Sequence, residues 1–271
     1  MKLGKQGLGL AFFVSSFYST NFHSRMEESI YFDSYRLKAT DTDAHKRIKL
    51  PHLINYMQEA AWKNATELGF STYDMLKNGI TWVVNRMYIE FYELPVYPQT
   101  LKVETWPSDL DKFFAYRDFR VFDEQNKLMV QATSNWLVLD IKTRKLIAVP
   151  EHIKQANFSV DRNGLAKIKG KCNYDENRTT NEFTNSVSWF DLDVNNHVNN
   201  TKYFQWMLDS LSLGVLEKKN IKSIDITFKA EVGYGEEVVS KSYALDSNSF
   251  AHQILDKSSG KVLVVGKSEF V

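Results

Sequence analysis

The sequence predicts an α+β fold in which one unit, a long helix followed by antiparallel strands, occurs twice in tandem. A segment with helical periodicity stands before a series of strand-like segments, and the same order recurs in the C-terminal half. The chain has 271 residues, of which 43% are hydrophobic, so each unit has enough apolar side chains for a core.

The first helix is predicted over residues 48–69, because apolar side chains recur on one face at helical spacing and Gly69 is typical of a helix end. Segments rich in β-branched and aromatic residues follow this helix, and turn residues such as Pro107 and Ser108 separate them. The predicted strands of the first unit are residues 81–91, 100–106, 113–122 and 127–140.

A polar connector over residues 157–182 precedes the second unit. The second helix is predicted over residues 200–216, with Asn199 or Asn200 as its N-terminal cap. The strands predicted after it are residues 223–230, 237–245, 250–256 and 261–271. An offset of 150 residues pairs Asp41 with Asp191, Asp43 with Asp193 and Met57 with Met207. These ordered matches favour a duplicated fold.

Composition excludes several classes of function. The net charge of +1 argues against a nucleic-acid-binding role for the chain as a whole. No Cys/His cluster has the spacing of a zinc site, and no glycine-rich phosphate loop lies between Gly79 and Gly164. The single cysteine, Cys172, cannot form an internal disulfide, which favours a reducing compartment, namely the cytoplasm.

Residues 1–27 are predicted to be an N-terminal extension. Lys2 and Lys5 precede an apolar run over residues 8–14, and this order imitates a targeting signal. The run is shorter than the ~20 apolar residues that span a bilayer, and no small-residue cleavage site follows it. We therefore expect no stable membrane insertion, and a targeting signal remains the alternative to a plain extension.

The densest polar run of the sequence lies over residues 189–200, just before the second helix. In an extended segment Asp193, Asn195 and His197 point to the same side, so that a carboxylate, an amide and an imidazole converge. Such a set can orient an imidazole, hold a carbonyl and move a proton during hydrolysis. The alternative is a turn and cap segment, since Asp and Asn favour both. Glu231, taken alone, would be an ordinary carboxylate at a strand end.

The run from Asp191 to Tyr203, with Trp206 after it, resembles the signature of plant and bacterial acyl-acyl carrier protein (acyl-ACP) thioesterases. Residues 85–87 (Asn-Arg-Met) and 106–108 (Trp-Pro-Ser) also resemble that family. The resemblance implies hydrolysis of a fatty acyl thioester carried by an acyl carrier protein, without a cofactor or a metal. The catalytic residues that it implies are Asp193, Asn195, His197 and Glu231.

The fold implied by the resemblance is two tandem hot-dog domains, each an antiparallel sheet wrapped around a long central helix. An acyl-binding domain would span residues 28–156, and a catalytic domain would span residues 183–271 after the connector. Many family members have Cys directly after the glutamate, but this chain has Val232, which excludes a Cys–His mechanism.

The first unit is expected to shape the acyl pocket, because His45 and Arg47 stand where the second unit has Asn195 and His197. The side chains expected to face the acyl chain are Met57, Ala61, Val84 and Met87. The lysines that would steer an acidic carrier protein are Lys202, Lys218, Lys219, Lys222 and Lys229. The open alternatives are an acyl-CoA thioesterase, an inactive acyl-binding hot-dog protein and, less favoured, a hot-dog dehydratase. A homodimer is also open.

Overall fold

The computed structural model describes residues 30–155, 168, 170–193 and 196–271. The predicted extension with its apolar run, much of the predicted connector, and Asn195 of the predicted site lie outside these residues. Among the described residues, no helix is both long enough and apolar enough to cross a membrane.

Both predicted units are present, and each contains one long helix and an antiparallel set of strands. The elements of the first half are β1 (Tyr31–Arg36), α1 (Leu50–Glu67), α2 (Thr72–Lys77), β2 (Ile80–Phe91), β3 (Thr100–Leu110), β4 (Phe114–Phe122), β5 (Leu128–Asp140), β6 (Leu146–Ile147) and α3 (Glu151–Lys154). Those of the second half are β7 (Asn181–Ser186), α4 (Asn200–Asp209), α5 (Leu213–Lys218), β8 (Ile221–Phe228), β9 (Glu237–Ala244), β10 (Ser249–Asp256) and β11 (Val262–Phe270).

The eleven strands form one continuous antiparallel sheet with the order β1-β3-β4-β5-β2-β8-β11-β10-β9-β7, and β6 pairs with β5. The two halves meet where β2 pairs with β8, with Arg86 opposite Thr227 and Glu90 opposite Ser223. The predicted duplication therefore produces a single sheet. The edge strands β2 and β8 pair with each other, so neither has an open edge at this seam.

The long helices lie side by side on one face of this sheet. Helix α1 contacts β3, β1 and α4, whereas α4 contacts β9, β10 and β7. Met57 and Met207, which the offset of 150 pairs, are both fully buried in the shared core. Gly266 lets α4 approach the sheet closely, since a Cβ atom there would lie 2.6 Å from the Met207 sulfur.

An ion pair crosses the seam between the halves. Arg86 on β2 donates to both carboxylate oxygens of Asp225 on β8, at 2.7 and 2.6 Å, and to the backbone carbonyl of Gly170 at 2.7 Å. Arg86 is 7% exposed, so the charges are largely removed from water. The hydrogen bonds to Asp225 raise the pKa of Arg86 above its ordinary value.

The structure differs from the sequence-based expectation at two strands, one turn and one helix. Strands β1 and β7 were not predicted. The turn predicted at Pro107 and Ser108 lies inside β3, where a shift in register against β4 accommodates it. The helix predicted over 200–216 breaks into α4 and α5, because the Ser210 hydroxyl bonds to the Met207 carbonyl and Ser212 begins a new helix. By contrast, Gly69 with φ +76° follows the end of α1 as predicted.

Candidate active site

A tight loop places His197 at the N-terminus of α4. The backbone N–H of Asp193 donates to the His197 carbonyl at 2.8 Å, and Asn196 turns the chain with a φ of +62°. Asn199 caps α4 by accepting a hydrogen bond from the Thr201 N–H at 2.9 Å, as predicted. His197 therefore stands two residues before the N-cap of α4.

Glu231 lies in the loop that follows β8, and one backbone hydrogen bond joins this loop to that of His197. The Val198 N–H donates to the Val232 carbonyl at 3.3 Å. This bond brings His197, which precedes Val198, close to Glu231, which precedes Val232. His197 Nδ1 is 3.6 Å from Glu231 Oε2, and each side chain is 38% exposed. This distance is longer than that of a hydrogen bond.

Of the two remaining predicted site residues, Asp193 is described by the structure and Asn195 is not. Asp193 accepts a long hydrogen bond from the His197 N–H at 3.4 Å and lines the same cavity as His197 and Glu231. Asn195 lies outside the described residues. Asp191, two residues before Asp193, is instead structural, because it is buried and accepts hydrogen bonds from Ser188 and Lys202.

Sequence reasoning missed a third charged group at this site. Arg144, in the hairpin turn between β5 and β6 of the first half, donates to Glu231 Oε2 at 2.6 Å. The turn has an ordinary polar sequence, and 87 residues separate the two partners. No signal in a single sequence indicates this contact.

His197 and Glu231 lie on the wall of a cavity of about 1670 Å³, to which both halves contribute. Arg117 lies on the first-half wall and donates to the Asn64 side-chain oxygen at 2.9 Å, and burial lowers the pKa of Arg117 to about 10. The apolar side chains of the first-half wall include Ala61, Ala65, Trp82, Val83, Val84, Leu110, Trp136 and Leu137. The cavity thus combines an apolar wall with the His197–Glu231 pair.

Of the four side chains expected to face the acyl chain, the structure places Ala61 and Val84 on the cavity wall. The expectation for Met57 and Met87 was wrong, because both are packed in the core beneath that wall. Helical and strand periodicity indicates the buried face of an element, but it does not separate a core position from a cavity position.

The comparison with known families settles the relationship of this chain. A model of the acyl-ACP thioesterase N-terminal domain matches residues 28–156, and a model of the acyl-ACP thioesterase C-terminal domain matches residues 174–271. The chain belongs to the acyl-ACP thioesterase family. The resemblance that the polar run indicated is therefore confirmed, and it extends over nearly the whole described chain.

Two similar curated proteins come from plants. The chain is 27% identical over 216 residues to the chloroplastic palmitoyl-acyl carrier protein thioesterase of Arabidopsis thaliana, covering 75% of this chain and 52% of the relative. It is 26% identical over 253 residues to the chloroplastic acyl-[acyl-carrier-protein] hydrolase FATB3 of Cuphea viscosissima, covering 88% of this chain and 61% of the relative. The chain thus spans between about half and three fifths of the length of these relatives.

Solved structures support the fold of the family. An acyl-ACP thioesterase from Bacteroides thetaiotaomicron superposes with a TM-score of 0.83 at 23% identity, covering 91% of this chain and 99% of that one. The 12:0-ACP thioesterase from Umbellularia californica superposes with a TM-score of 0.78 at 22% identity, covering 89% and 97%. The predicted fold of two tandem hot-dog units, each a sheet wrapped around a helix, is confirmed.

The position that carries Cys in many members of the acyl-ACP thioesterase family is the buried Val232 in this chain. The only cysteine, Cys172, lies beside Arg86 at the seam, with its sulfur 3.9 Å from a guanidinium nitrogen. Burial raises the pKa of the Cys172 thiol to about 11, which disfavours the reactive thiolate. Within the described part of the chain, no group of three or more His, Cys, Asp or Glu side chains is arranged to hold a metal.

In the first half of this family member, a turn with matching contacts carries a different side chain at the position of His197. Lys46, with φ +63°, corresponds to Asn196, and the Ile48 N–H donates to the Pro95 carbonyl at 2.9 Å as Val198 does to Val232. The side chain that replaces His197 belongs to Arg47. It pairs with Asp43 at 2.8 Å and donates to the Leu216 carbonyl at 2.9 Å. The Arg47 loop of the first half therefore makes a structural contact with α5.

The predicted carrier-steering lysines do not share one environment. Lys229 lines the cavity beside Glu231. Lys202 is ion-paired with Asp191 at 2.8 Å, and Lys219 donates to the Asn248 side chain at 2.6 Å. Of these three, only Lys229 lies on the cavity wall.

Proposed function

We propose that this protein hydrolyses the thioester of fatty acyl-ACP and releases a free fatty acid, which ends the elongation of that chain. The observation that carries the proposal is the His197–Glu231 pair on the wall of a large cavity with an apolar compartment. A fatty acyl chain needs an apolar compartment, and its thioester needs a base that activates water at one end of it.

In the proposed reaction, the imidazole of His197 and the carboxylate of Glu231 take a proton from a water molecule whose oxygen attacks the thioester carbonyl. The carbon–sulfur bond then breaks, and the proton returns to the sulfur of the leaving carrier thiol. The Glu231 carboxylate lies 3.6 Å from the imidazole on the same cavity wall, so both groups can reach one water molecule. Asn195 would orient the carbonyl or the imidazole, and Asp193 would hold the loop through the His197 N–H.

We also propose a division of labour, in which residues 28–156 bind the acyl chain and residues 183–271 carry out the chemistry. The apolar wall that the first half contributes to the cavity supports this assignment, as does the replacement of His197 by Arg47 in the first loop. The partner would be an acyl carrier protein bearing the chain, and the chain's single cysteine suits a cytoplasmic location.

The test is release of free thiol from acyl-ACP substrates of graded chain length, compared with acyl-CoA substrates of the same lengths. His197→Ala and Glu231→Gln should each reduce hydrolysis by about 10²- to 10⁴-fold, the usual contribution of a general acid–base group. The matched controls are His45→Ala, in the equivalent loop of the first half, and Glu236→Gln, a second carboxylate on the cavity wall.

Absence of thiol release from every acyl-ACP by the wild-type protein would refute the proposed function. Preference for acyl-CoA over acyl-ACP would favour the acyl-CoA thioesterase. A folded His197→Ala variant with near-wild-type turnover would remove His197 from the mechanism.

A further inference from the structure

The hairpin turn between β5 and β6 reaches from the first half to Glu231 in the second. The turn is internally held, because the Asp140 carboxylate accepts hydrogen bonds from the Thr143 N–H at 2.8 Å and the Thr143 hydroxyl at 2.9 Å. The Arg144 N–H donates to the Asp140 carbonyl at 2.9 Å, and the Ile141 N–H donates to the Gly79 carbonyl at 3.0 Å. Arg144 therefore extends from a fixed backbone.

The Glu231 carboxylate has two polar partners among the described residues, and both lie nearest to the same oxygen, Oε2. The Arg144 guanidinium donates to Oε2 at 2.6 Å, and His197 Nδ1 lies 3.6 Å from that atom. Oε1 makes no hydrogen bond to a described residue. A glutamate side chain has three rotatable bonds, and with 38% exposure it would otherwise sample several rotamers.

We propose that Arg144 is a positioning residue for the reaction: its guanidinium holds Oε2 of Glu231, so that the carboxylate faces His197 and presents Oε1 to the cavity. This inference rests on the proposed function and deepens it. A charge-assisted hydrogen bond of this kind fixes direction as well as distance. Because 56% of the Arg144 side chain is exposed, the pair contributes little to folding stability, and its effect falls on the orientation of Glu231.

The backbone conformation of Arg144 separates this role from a structural one. Its φ of +56° lies in the left-handed region, which glycine adopts without a penalty and which is unfavourable for other residues. The turn itself would therefore be at least as stable with glycine at this position. Arg144→Gly should leave the melting temperature equal or higher, while the guanidinium that contacts Glu231 is lost.

The inference also changes what the first half contributes. If Arg144 orients Glu231, the catalytic arrangement is completed by a residue of the acyl-binding half, across the seam between the units. The second half would then hold His197 and Glu231 but would leave Oε2 of Glu231 without its donor.

The experiment measures kcat and KM separately on acyl-ACP for Arg144→Gly and Arg144→Lys, with melting temperatures. The matched control is Lys142→Gly, which removes an exposed cation from the same turn. We expect Arg144→Gly to lower kcat by about 10- to 100-fold with KM nearly unchanged, as misplacement of a catalytic group does. Lysine should restore part of the loss, since it supplies a point charge without the planar fork. Added guanidinium chloride at millimolar concentration should raise the rate of Arg144→Gly and not that of Lys142→Gly.

Wild-type kcat in Arg144→Gly, an equal loss in Lys142→Gly, or a loss that tracks a lower melting temperature would overturn the inference while leaving the proposed function intact. A higher kcat in Arg144→Gly would also overturn it, because the arginine would then withhold Glu231 from the reaction. An inactive wild-type protein would instead refute the proposed function.

Discussion

Replacing Ala61 with phenylalanine should shorten the part of the cavity that accepts the acyl chain. Ala61 lies on α1, is 8% exposed and lines the cavity, so the added ring projects into the space that the chain would occupy. Burying one methylene group is worth about 0.8 kcal/mol. Loss of room for two methylenes therefore costs a long substrate about 1.6 kcal/mol, or roughly 15-fold in rate at limiting substrate concentration. Short substrates should be hydrolysed at nearly the wild-type rate.

The assay is hydrolysis rate against acyl chain length, measured together with the melting temperature. The matched control is Met57→Ala, because Met57 lies one turn earlier on the same helix but is fully buried in the core. A large-to-small change in a core typically costs about 2–5 kcal/mol of stability, and it should lower the rate for all chain lengths alike. A uniform decrease in Ala61→Phe that matches the Met57→Ala profile would refute the acyl-binding role of the first half.

Three further predictions concern groups outside the proposed mechanism. Cys172→Ser should leave the turnover nearly unchanged. A thiol reagent at neutral pH should react slowly with the folded protein, because burial raises the pKa of the Cys172 thiol to about 11. Rapid inactivation of the wild type, with the variant resistant, would contradict this prediction. Arg86→Leu should lower the free energy of unfolding by about 3–5 kcal/mol, because it removes the arginine that pairs with the Asp225 carboxylate at the seam. In chemical unfolding, the double variant Arg86→Leu/Asp225→Leu should lose less free energy of unfolding than Arg86→Leu alone. Burial lowers the pKa of His252 to about 3 in the folded state, below its unfolded value of about 6.5, so its contribution to stability is complete above pH 6.5 and decreases by about 1.4 kcal/mol per pH unit below it. Unfolding of His252→Asn should therefore be less sensitive to pH between 6.5 and 5 than that of the wild type, and equal slopes would contradict the prediction.

Apart from the helix over 200–216, the strands and helices predicted from a regular apolar pattern agree with the structure to within four residues. Strand β7 was not predicted, because its six residues are mostly polar and exposed, and backbone pairing with β9 places them at the sheet edge. Strand β1 alternates half-buried and exposed residues, but the aromatic Phe32 lies on its exposed face, so polarity does not follow the two faces.

The candidate site was predictable where its residues are close in sequence. The spacing of Asp193 and His197 reflects one short loop, and Glu231 was found through the resemblance to a family. Arg144 was not found, because its contact depends on how the two halves join and not on any local pattern. For the same reason the single sheet across β2 and β8 followed from neither unit alone.

Arg47 and His197 stand at corresponding positions of the two halves, and this difference in side chain depends on both positions being on one chain. In a symmetric assembly of identical subunits, every substitution appears at each copy of a position. Arg47 could not then anchor one loop to the Leu216 carbonyl without removing the imidazole from the other. Tandem duplication makes the two positions independent, so that one carries an anchoring arginine and the other an imidazole on the cavity wall.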